Sequence, residues 1–344
     1  MMRVMMTTKH KRIAEAGQIL RNGGLVAFPT ETVYGLGANA LDEHAAEKIY
    51  KAKGRPSDNP LIIHIAKMES LPLIVSEIPT EALELAKCYW PGPLTMIFPK
   101  SDIVPLTITG GLASIAVRMP DHHIALELIE AGGGFVAAPS ANTSGRPSPT
   151  RAAHVAEDLG DNVDMIIDGG DTTIGLESTI IDFSSDEVTI LRPGAITKAM
   201  IEAIIGPVSM AQELSFQTDS VAPKAPGMKY THYAPQAPLF IVTGETALVS
   251  ETINENVQGT LAQGQNIGII CAEENILRYP QGVVKSLGKL EDEESIARHL
   301  YAVLRGFDES GVTSIYSESF DTPRLGVAIM NRLKKAAGGK IIKV

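Results

Sequence analysis

At 344 residues, 44% hydrophobic and 20% charged, the chain has ordinary globular composition and room for about two domains, each with its own core. A formal charge of -10 argues against a protein whose main work is coating nucleic acid, though not against a local cationic pocket. The start, MMRVMMTTKHKR, holds no apolar run long enough for a signal peptide, and no later segment could span a bilayer. Cys88 and Cys271 lie far apart without metal or redox spacing, so a cytosolic protein with core thiols is expected.

Residues 10–22 predict an amphipathic helix with Ile13, Ala16, Ile19 and Leu20 on one face, stopped by Gly23-Gly24. Residues 25–28 read as a strand that continues into PTETVYGLG. If extended, that run sets Thr30, Thr32 and Tyr34 on one face, as either a small polar pocket or a threonine ladder on a sheet surface. The stretch GLGANA matches G-x-G-x-x-A. A dinucleotide site is rejected, because polar residues separate strand from glycines and the expected acid's neighbourhood holds Lys53 and Arg55. The chain has no Walker loop either.

In KAKGRPSDNPLIIHI a helix with a basic end stops at Gly54, releases Arg55 into the turn-forming residues 56–60, and leads into a buried strand over 61–65. A guanidinium and several ammonium groups beside short polar side chains suit a polyanion such as a nucleotide triphosphate; a solvated helix end is the plainer alternative. His64, inside LIIHI, reads as a core side chain or a ligand contact. A helix over 80–90 is broken by Pro91-Gly92-Pro93 and followed by a strand over 94–98. SIAVRM then places Arg118 in an apolar strand, where a guanidinium needs either an internal carboxylate or an anionic ligand.

After a helix near 121–131, GFVAAPSANTSGRPSPT opens a buried strand (135–138) into Ser140, Asn142, Ser144, Gly145, Arg146 and Ser148, the makings of an anion nest. Thr150 is expected to cap a helix starting at Arg151. A strand over 164–168 precedes a hairpin, 178–183 with 187–191, that closes on Arg192 at a turn, where a lone arginine is expected to be exposed. Residues 206–238, with Pro207, Pro223, Pro226, Pro235 and Pro238, read as a linker. Its KAPGMKYTHYAP run carries Lys224, Lys229, Tyr230, His232 and Tyr233, which suits a lid over a nucleotide better than a passive spacer. From 239 onward, strands (239–242, 267–271, 283–287, 314–316) alternate with helices (to about 261, 291–306, 323–337). This predicts a small parallel sheet with helices on both faces. It holds no recognisable catalytic constellation, and Gly268 does not make it a cofactor site.

The runs PTETVYGLG, KGRPSDNPL, PGPLT, VRMPDH, APSANTSGRPSPT, ESTIID and LRPGAI resemble, in that order, the threonylcarbamoyl-AMP synthase family with its YrdC-type domain. The resemblance covers about residues 10–205 and includes the family's K-x-R (Lys53, Arg55) and S-x-N (Ser140, Asn142) signatures. PGMKYTHYAP and the chain beyond it resemble the long, two-domain form. The implied fold is α/β: a twisted open sheet with flanking helices over 10–205, a linker or lid over 206–238, and a smaller Rossmann-like parallel domain over 239–344.

The implied reaction converts L-threonine, bicarbonate and ATP to threonylcarbamoyl-AMP and pyrophosphate. The product passes to a separate tRNA threonylcarbamoyl transferase complex. That complex modifies the adenosine beside the anticodon in tRNAs reading codons that begin with A. A contact with tRNA is a further implication; a membrane is not involved. By the same resemblance Lys53, Arg55 and Asn59 serve the triphosphate, and Ser114, Ser140, Asn142, Ser148 and Arg192 hold nucleotide or phosphates. Arg118 meets the substrate carboxylate, and Thr32, His64, the Ala138 backbone and Ser178 complete the threonine pocket. Tyr233, or Tyr230, closes over the nucleotide. Mg²⁺ is expected with the triphosphate, with no protein ligand assigned. The competing readings are a tRNA or double-stranded-RNA-binding module, a carbamoyltransferase adenylating free carbamoyl phosphate, and a regulatory binding protein with a degenerate site. The acidic total charge counts against the first, the lack of zinc-finger cysteines against the second, and the complete motif set against the third.

Overall fold

The computed structural model describes residues 9–211, 223–226 and 232–344. They divide into two units: residues 145–147 and 174–176 group with 230–344, and the remainder forms the first unit. In chain order the first unit runs α1 (Lys9–Arg21), β1 (Val26–Phe28), β2 (Gly35–Asn39), α2 (Glu43–Lys53), β3 (Ile62–His64), α3 (Leu71–Ile74), α4 (Thr80–Tyr89), β4 (Leu94–Pro99), α5 (Leu106–Thr109), β5 (Ser114–Arg118) and α6 (His123–Ala131). It continues with β6 (Val136–Ala137), α7 (Ala152–Leu159), β7 (Met165–Ile166), β8 (Thr179–Asp182), β9 (Thr189–Arg192), α8 (Lys198–Ile205) and β10 (Ser209–Met210).

Among the described residues the strands form one mixed sheet in the order β10-β9-β8-β4-β5-β3-β6-β2-β1-β7. The two-residue alternation of the central strands sorts their side chains by face. Ile63, Met96, Phe98, Ile115, Val117 and Ile181 point into the main core, where Ala46 and Ile49 of α2, Leu85 of α4, Val155 of α7 and Ile201 of α8 meet them. On the opposite face, α1 (Ile13, Ala16, Leu20) and α6 (Ile124, Leu128, Ile129) cover the half that carries Val26, Phe28, Val136 and Ala138. The other half of that face holds only a small apolar cluster of Ile62, Ile97, Ala116 and Ile180, against which Ala225 of the linker packs. The side chains of His64, Thr95 and Arg118 stand on this half.

The caps of α2 set up that site. Asp42 accepts from the N–H groups of His44 and Ala45 at one end, and at the other Gly54 adopts φ 60° as the left-handed C-cap. A Cβ at Gly54 would meet nothing, so the requirement there is one of dihedral and not of space.

Local hydrogen bonds overrule two sequence expectations. Thr30 Oγ1 donates to the Val33 carbonyl (2.7 Å) and accepts the Thr32 N–H (3.1 Å), folding residues 30–33 into a tight turn. Thr30, Thr32 and Tyr34 therefore do not line one extended face. Thr150 does not cap α7 either: Arg151 is the cap residue, without a side-chain bond, and the Thr150 N–H donates to His154 Nδ1 (3.3 Å).

The second unit contains β11 (Leu239–Thr243), α9 (Thr246–Leu261), β12 (Ile267–Cys271), β13 (Val283–Ser286), α10 (Glu293–Asp308), β14 (Ser314–Glu318), α11 (Gly326–Ala336) and β15 (Ile341–Lys343). Its sheet is parallel throughout, in the order β13-β12-β14-β11-β15. Val249, Ile253 and Val257 of α9 pack on Val242, Ile267 and Ile269. Gly268 faces the other way, and a Cβ there would lie 2.6 Å from the Phe307 ring of α10, so this glycine admits a packing helix. The closing strand β15, three residues at the end of the chain, leaves no alternation that sequence reasoning could use.

Candidate active site

Strand register assembles the site. His64 is paired with Arg118, Arg118 with Thr95, Thr95 with Ile180, and Ile180 with Arg192. Directly paired residues project to the same side of a sheet. His64, Arg118, Thr95 and Arg192 therefore stand in one row across β3, β5, β4 and β9, beside the small apolar cluster. Arg192, expected exposed at a turn, is instead the buried last residue of β9, 4% exposed. A register shift between Ile180 and Ile181 sets which residue it faces, and sequence alone carries no trace of that shift.

At one end of the row lies a buried ion pair. Arg118 is 4% exposed, and its two sequence alternatives resolve into an internal carboxylate: Nη2 is 2.6 Å from Glu31 Oε1. Its Nε donates to the Gly92 carbonyl (3.2 Å) and Nη1 to Thr32 Oγ1 (2.9 Å). Thr30 gives its hydroxyl proton to Val33, so in the 2.9 Å contact between the two threonines Thr32 is the donor. Thr32 Oγ1 thus presents lone pairs to the pocket and holds the guanidinium flat. His64 is buried beside these groups, with Nδ1 3.2 Å from the Ile62 carbonyl. Loss of solvation, with the Arg118 charge adding to it, lowers the His64 pKa from 6.5 to about 3. The imidazole is therefore neutral at any ordinary pH.

Ser178 and Arg192 close the row. Arg192 donates from Nε to the Ser178 carbonyl (3.0 Å), from Nη2 to Ser178 Oγ (3.2 Å) and from Nη1 to the Pro226 carbonyl (3.2 Å). Ser178 Oγ also lies 2.7 Å from Thr95 Oγ1. Lys224 anchors the same stretch of linker, reaching Asp182 Oδ2 (3.0 Å) and Ser185 Oγ (2.5 Å).

Toward the N-terminal ends of β3 and β5 the groups are those suited to phosphate. Lys53 is buried and donates to the Ser140 carbonyl (2.5 Å) and the Asn142 carbonyl, tying α2 to the loop after β6. Within that loop Ser140 Oγ donates to Asn142 Oδ1 (2.6 Å), and Asn142 Nδ2 to the Thr143 carbonyl (2.8 Å). Arg55 folds back on its own turn, donating to the Asn59 (3.3 Å) and Pro60 (3.1 Å) carbonyls. Asn59 is 1% exposed, and its Oδ1 has no hydrogen-bond partner among the described residues. Such an orphan can accept a hydrogen bond or a cation from a ligand. Ala138 sits beside Ile62, its N–H donating to the Ile62 carbonyl (2.9 Å). Ser114 opens β5, half-buried, and Ser148 is fully buried with Oγ donating to Glu177 Oε1 (2.5 Å).

Tyr233 belongs to the second unit, where it is buried with its ring 5.2 Å from that of Tyr301 and the Arg332 guanidinium 5.8 Å from its centre. Tyr230 lies outside the described residues. Sequence reasoning passed over Glu31, Thr95 and Glu177. Glu31 carried a signal, being the carboxylate between two threonines in PTET; Thr95 and Glu177 become visible only through strand pairing and loop closure.

A row of buried cations and hydroxyls at strand ends, with the Arg118–Glu31 pair at one side and Lys53, Ser140 and Asn142 at the other, suits an α/β enzyme that brings a small acid to a nucleotide. Residues 18–194 match the Sua5/YciO/YrdC family model, described as telomere recombination, and residues 196–338 match the model of the threonylcarbamoyl-AMP synthase C-terminal domain. The chain belongs to the threonylcarbamoyl-AMP synthase family. It is 50% identical over 339 residues to the threonylcarbamoyl-AMP synthase of Bacillus subtilis, covering 98% of this chain and 96% of that one. It is also 50% identical over 333 residues to that of Pyrococcus abyssi, covering 97% and 96%. The crystal structure of Pyrococcus abyssi Sua5 complexed with L-threonine superposes with a TM-score of 0.92 at 50% identity, over 97% of this chain and 96% of that chain.

Proposed function

We propose that this chain makes threonylcarbamoyl-AMP from L-threonine, bicarbonate and ATP, releasing pyrophosphate. The observation that carries the reading is the row of His64, Arg118, Thr95 and Arg192 on the one half-face of the sheet left clear of α1 and α6. The threonine amine condenses with bicarbonate to a carbamate and water. A carbamate oxygen then attacks the α-phosphorus of ATP, and the bond to the β-phosphate oxygen breaks to release pyrophosphate. No protein nucleophile is needed. The protein's task is to hold three polar reactants in line, worth about 7–11 kcal/mol in favourable cases, and to meet charge on the triphosphate.

Arg118 takes the threonine carboxylate, with Thr32, neutral His64, the Ala138 backbone and Ser178 around the substrate. Lys53 acts chiefly by fixing the Ser140–Asn142 loop close to the triphosphate, and Arg55 by fixing the turn that carries Asn59. Ser114, Ser140, Asn142, Ser148 and Arg192 hold nucleotide and phosphates, and Tyr233 covers the nucleotide from the linker. Mg²⁺ bound with ATP would neutralise phosphate charge, and the residues fit such an ion: Asn59 Oδ1, without a partner among the described residues, would offer it one hard oxygen.

The product serves threonylcarbamoyladenosine formation next to the anticodon, handed in the cytoplasm to a tRNA threonylcarbamoyl transferase. Among the described residues no helix is long and apolar enough to cross a membrane. The rival RNA-binding reading is not supported, since Lys53, Arg55, Arg118 and Arg192 are buried and turned inward, whereas RNA affinity needs exposed cations. Arg192→Ala tests the assignment: it is expected to raise KM for ATP and lower kcat in pyrophosphate release, and unchanged kinetics would remove Arg192 from the nucleotide site.

A further inference from the structure

Glu31 is a carboxylate in an unusual position. It is 6% exposed, it lies within the turn closed by Thr30, and its backbone carbonyl is held by Thr173 Oγ1 (3.3 Å). Neither side-chain oxygen has a hydrogen-bond partner among the described residues, and the contact they make is the 2.6 Å ion pair with Arg118 Nη2. A buried ion pair whose carboxylate has no supporting hydrogen bonds is a poor source of stability, because desolvation offsets its attraction. An anion in this state is well suited to receive donors from a ligand.

Arg118 is not exhausted by the pair. Its hydrogen bonds to Gly92 and Thr32 use Nε and one N–H of Nη1, so donors remain on Nη1 and Nη2. The pocket therefore offers a cation with donors to spare and, 2.6 Å away, an anion with acceptors to spare. This is the electrostatic complement of a zwitterion, which enters without changing the net charge of a buried site.

We propose that Glu31 is the ammonium-binding residue of the site and selects α-amino acids over other small carboxylates. The substrate carboxylate docks on the remaining Arg118 donors, and its ammonium donates to the Glu31 oxygens. The two charges of one ligand are then read by a single ion pair, and the nitrogen that becomes carbamoylated is held at a fixed place. This rests on the reading of the pocket as an amino-acid site and adds the group that recognises the nitrogen.

The experiment compares calorimetric binding of L-threonine with that of 2,3-dihydroxybutyrate, the same skeleton with a hydroxyl in place of the ammonium. Wild-type protein and Glu31→Gln are both titrated. A charge-assisted hydrogen bond to a buried carboxylate corresponds to discrimination of about tenfold or more. Wild type is expected to prefer threonine by at least about that factor. Glu31→Gln is expected to weaken threonine and tighten the hydroxy acid, because Arg118 loses its internal competitor. A residue that merely neutralised Arg118 would move both ligands the same way, and that result overturns the proposal. If the variant does not fold, the wild-type comparison still decides, since equal binding of the two ligands overturns it. A wild type that binds neither, and releases no threonine-dependent pyrophosphate, overturns the amino-acid site itself. Threonine binding with unchanged discrimination in Glu31→Gln overturns the role of Glu31 alone.

Discussion

Arg118 links two elements that the chain keeps far apart, the turn after β1 and the last residue of β5, and its removal should be felt twice. Arg118→Ala is expected to abolish turnover by removing the carboxylate anchor. It also strands Glu31 as a buried charge without its partner, a loss of about 3–5 kcal/mol. Glu31→Gln in the Arg118→Ala background should recover much of that stability and none of the turnover, measured by urea unfolding and pyrophosphate release. Equal stability of Arg118→Ala and wild type would show that the pair is not buried as described. His64 gives a second test at this scale. The unfolded chain takes up a proton near pH 6.5 that the folded site refuses until about pH 3, so His64 contributes stability above that window that is lost as pH falls through it. His64→Gln should therefore lose less stability than wild type between about pH 7 and pH 4.5. Parallel losses in the two proteins would contradict a neutral buried imidazole. Arg118, His64 and Lys53 stand out locally as charged or polar groups inside apolar runs or at a helix end, whereas Asn59 is reached through the family resemblance. Glu31 did not stand out, since what distinguishes it is a partner from another strand.

At the scale of elements, the chain's alternation and turn chemistry were legible where burial dictates them. LIIHI and SIAVRM are strands because Ile63, Ile115 and Val117 fill the main core while Ile62 and Ala116 pack in the small cluster on the opposite face, and Gly54 ends α2 because the chain needs a left-handed residue there. The exceptions are places where a side chain competes with the backbone, as at Thr30, or where a register shift moves a residue inward, as at Arg192. The β8–β9 pairing places both Ser178 and Arg192, and Gly194 lets its end close: a Cβ at Gly194 would lie 2.5 Å from the Thr179 N and 2.7 Å from Thr179 Oγ1. Gly194→Ala is expected to cost about 1–3 kcal/mol by overpacking and to lower turnover by shifting Ser178 and Arg192. Both effects are read by thermal unfolding and steady-state assay of the same preparation. A variant as stable and as active as wild type would mean that this corner does not set the site.

At the scale of the whole molecule, the division of charge matters most. The total is -10, yet the site concentrates buried cations on one half-face of the first unit's sheet. Binding to double-stranded RNA is accordingly expected to be weak, and a strong affinity falling steeply with salt would favour an RNA-binding role. The second unit's sheet is a complete parallel layer with helices on both faces, and Gly268 serves helix packing there and not a cofactor. The proposed site residues His64, Arg118, Ser178 and Arg192 all belong to the first unit. The most direct test is pyrophosphate release from ATP and bicarbonate by the full chain, with L-threonine, with L-serine and with no amino acid. The account predicts release that depends strongly on L-threonine and is much weaker with L-serine; equal release with and without L-threonine would contradict it.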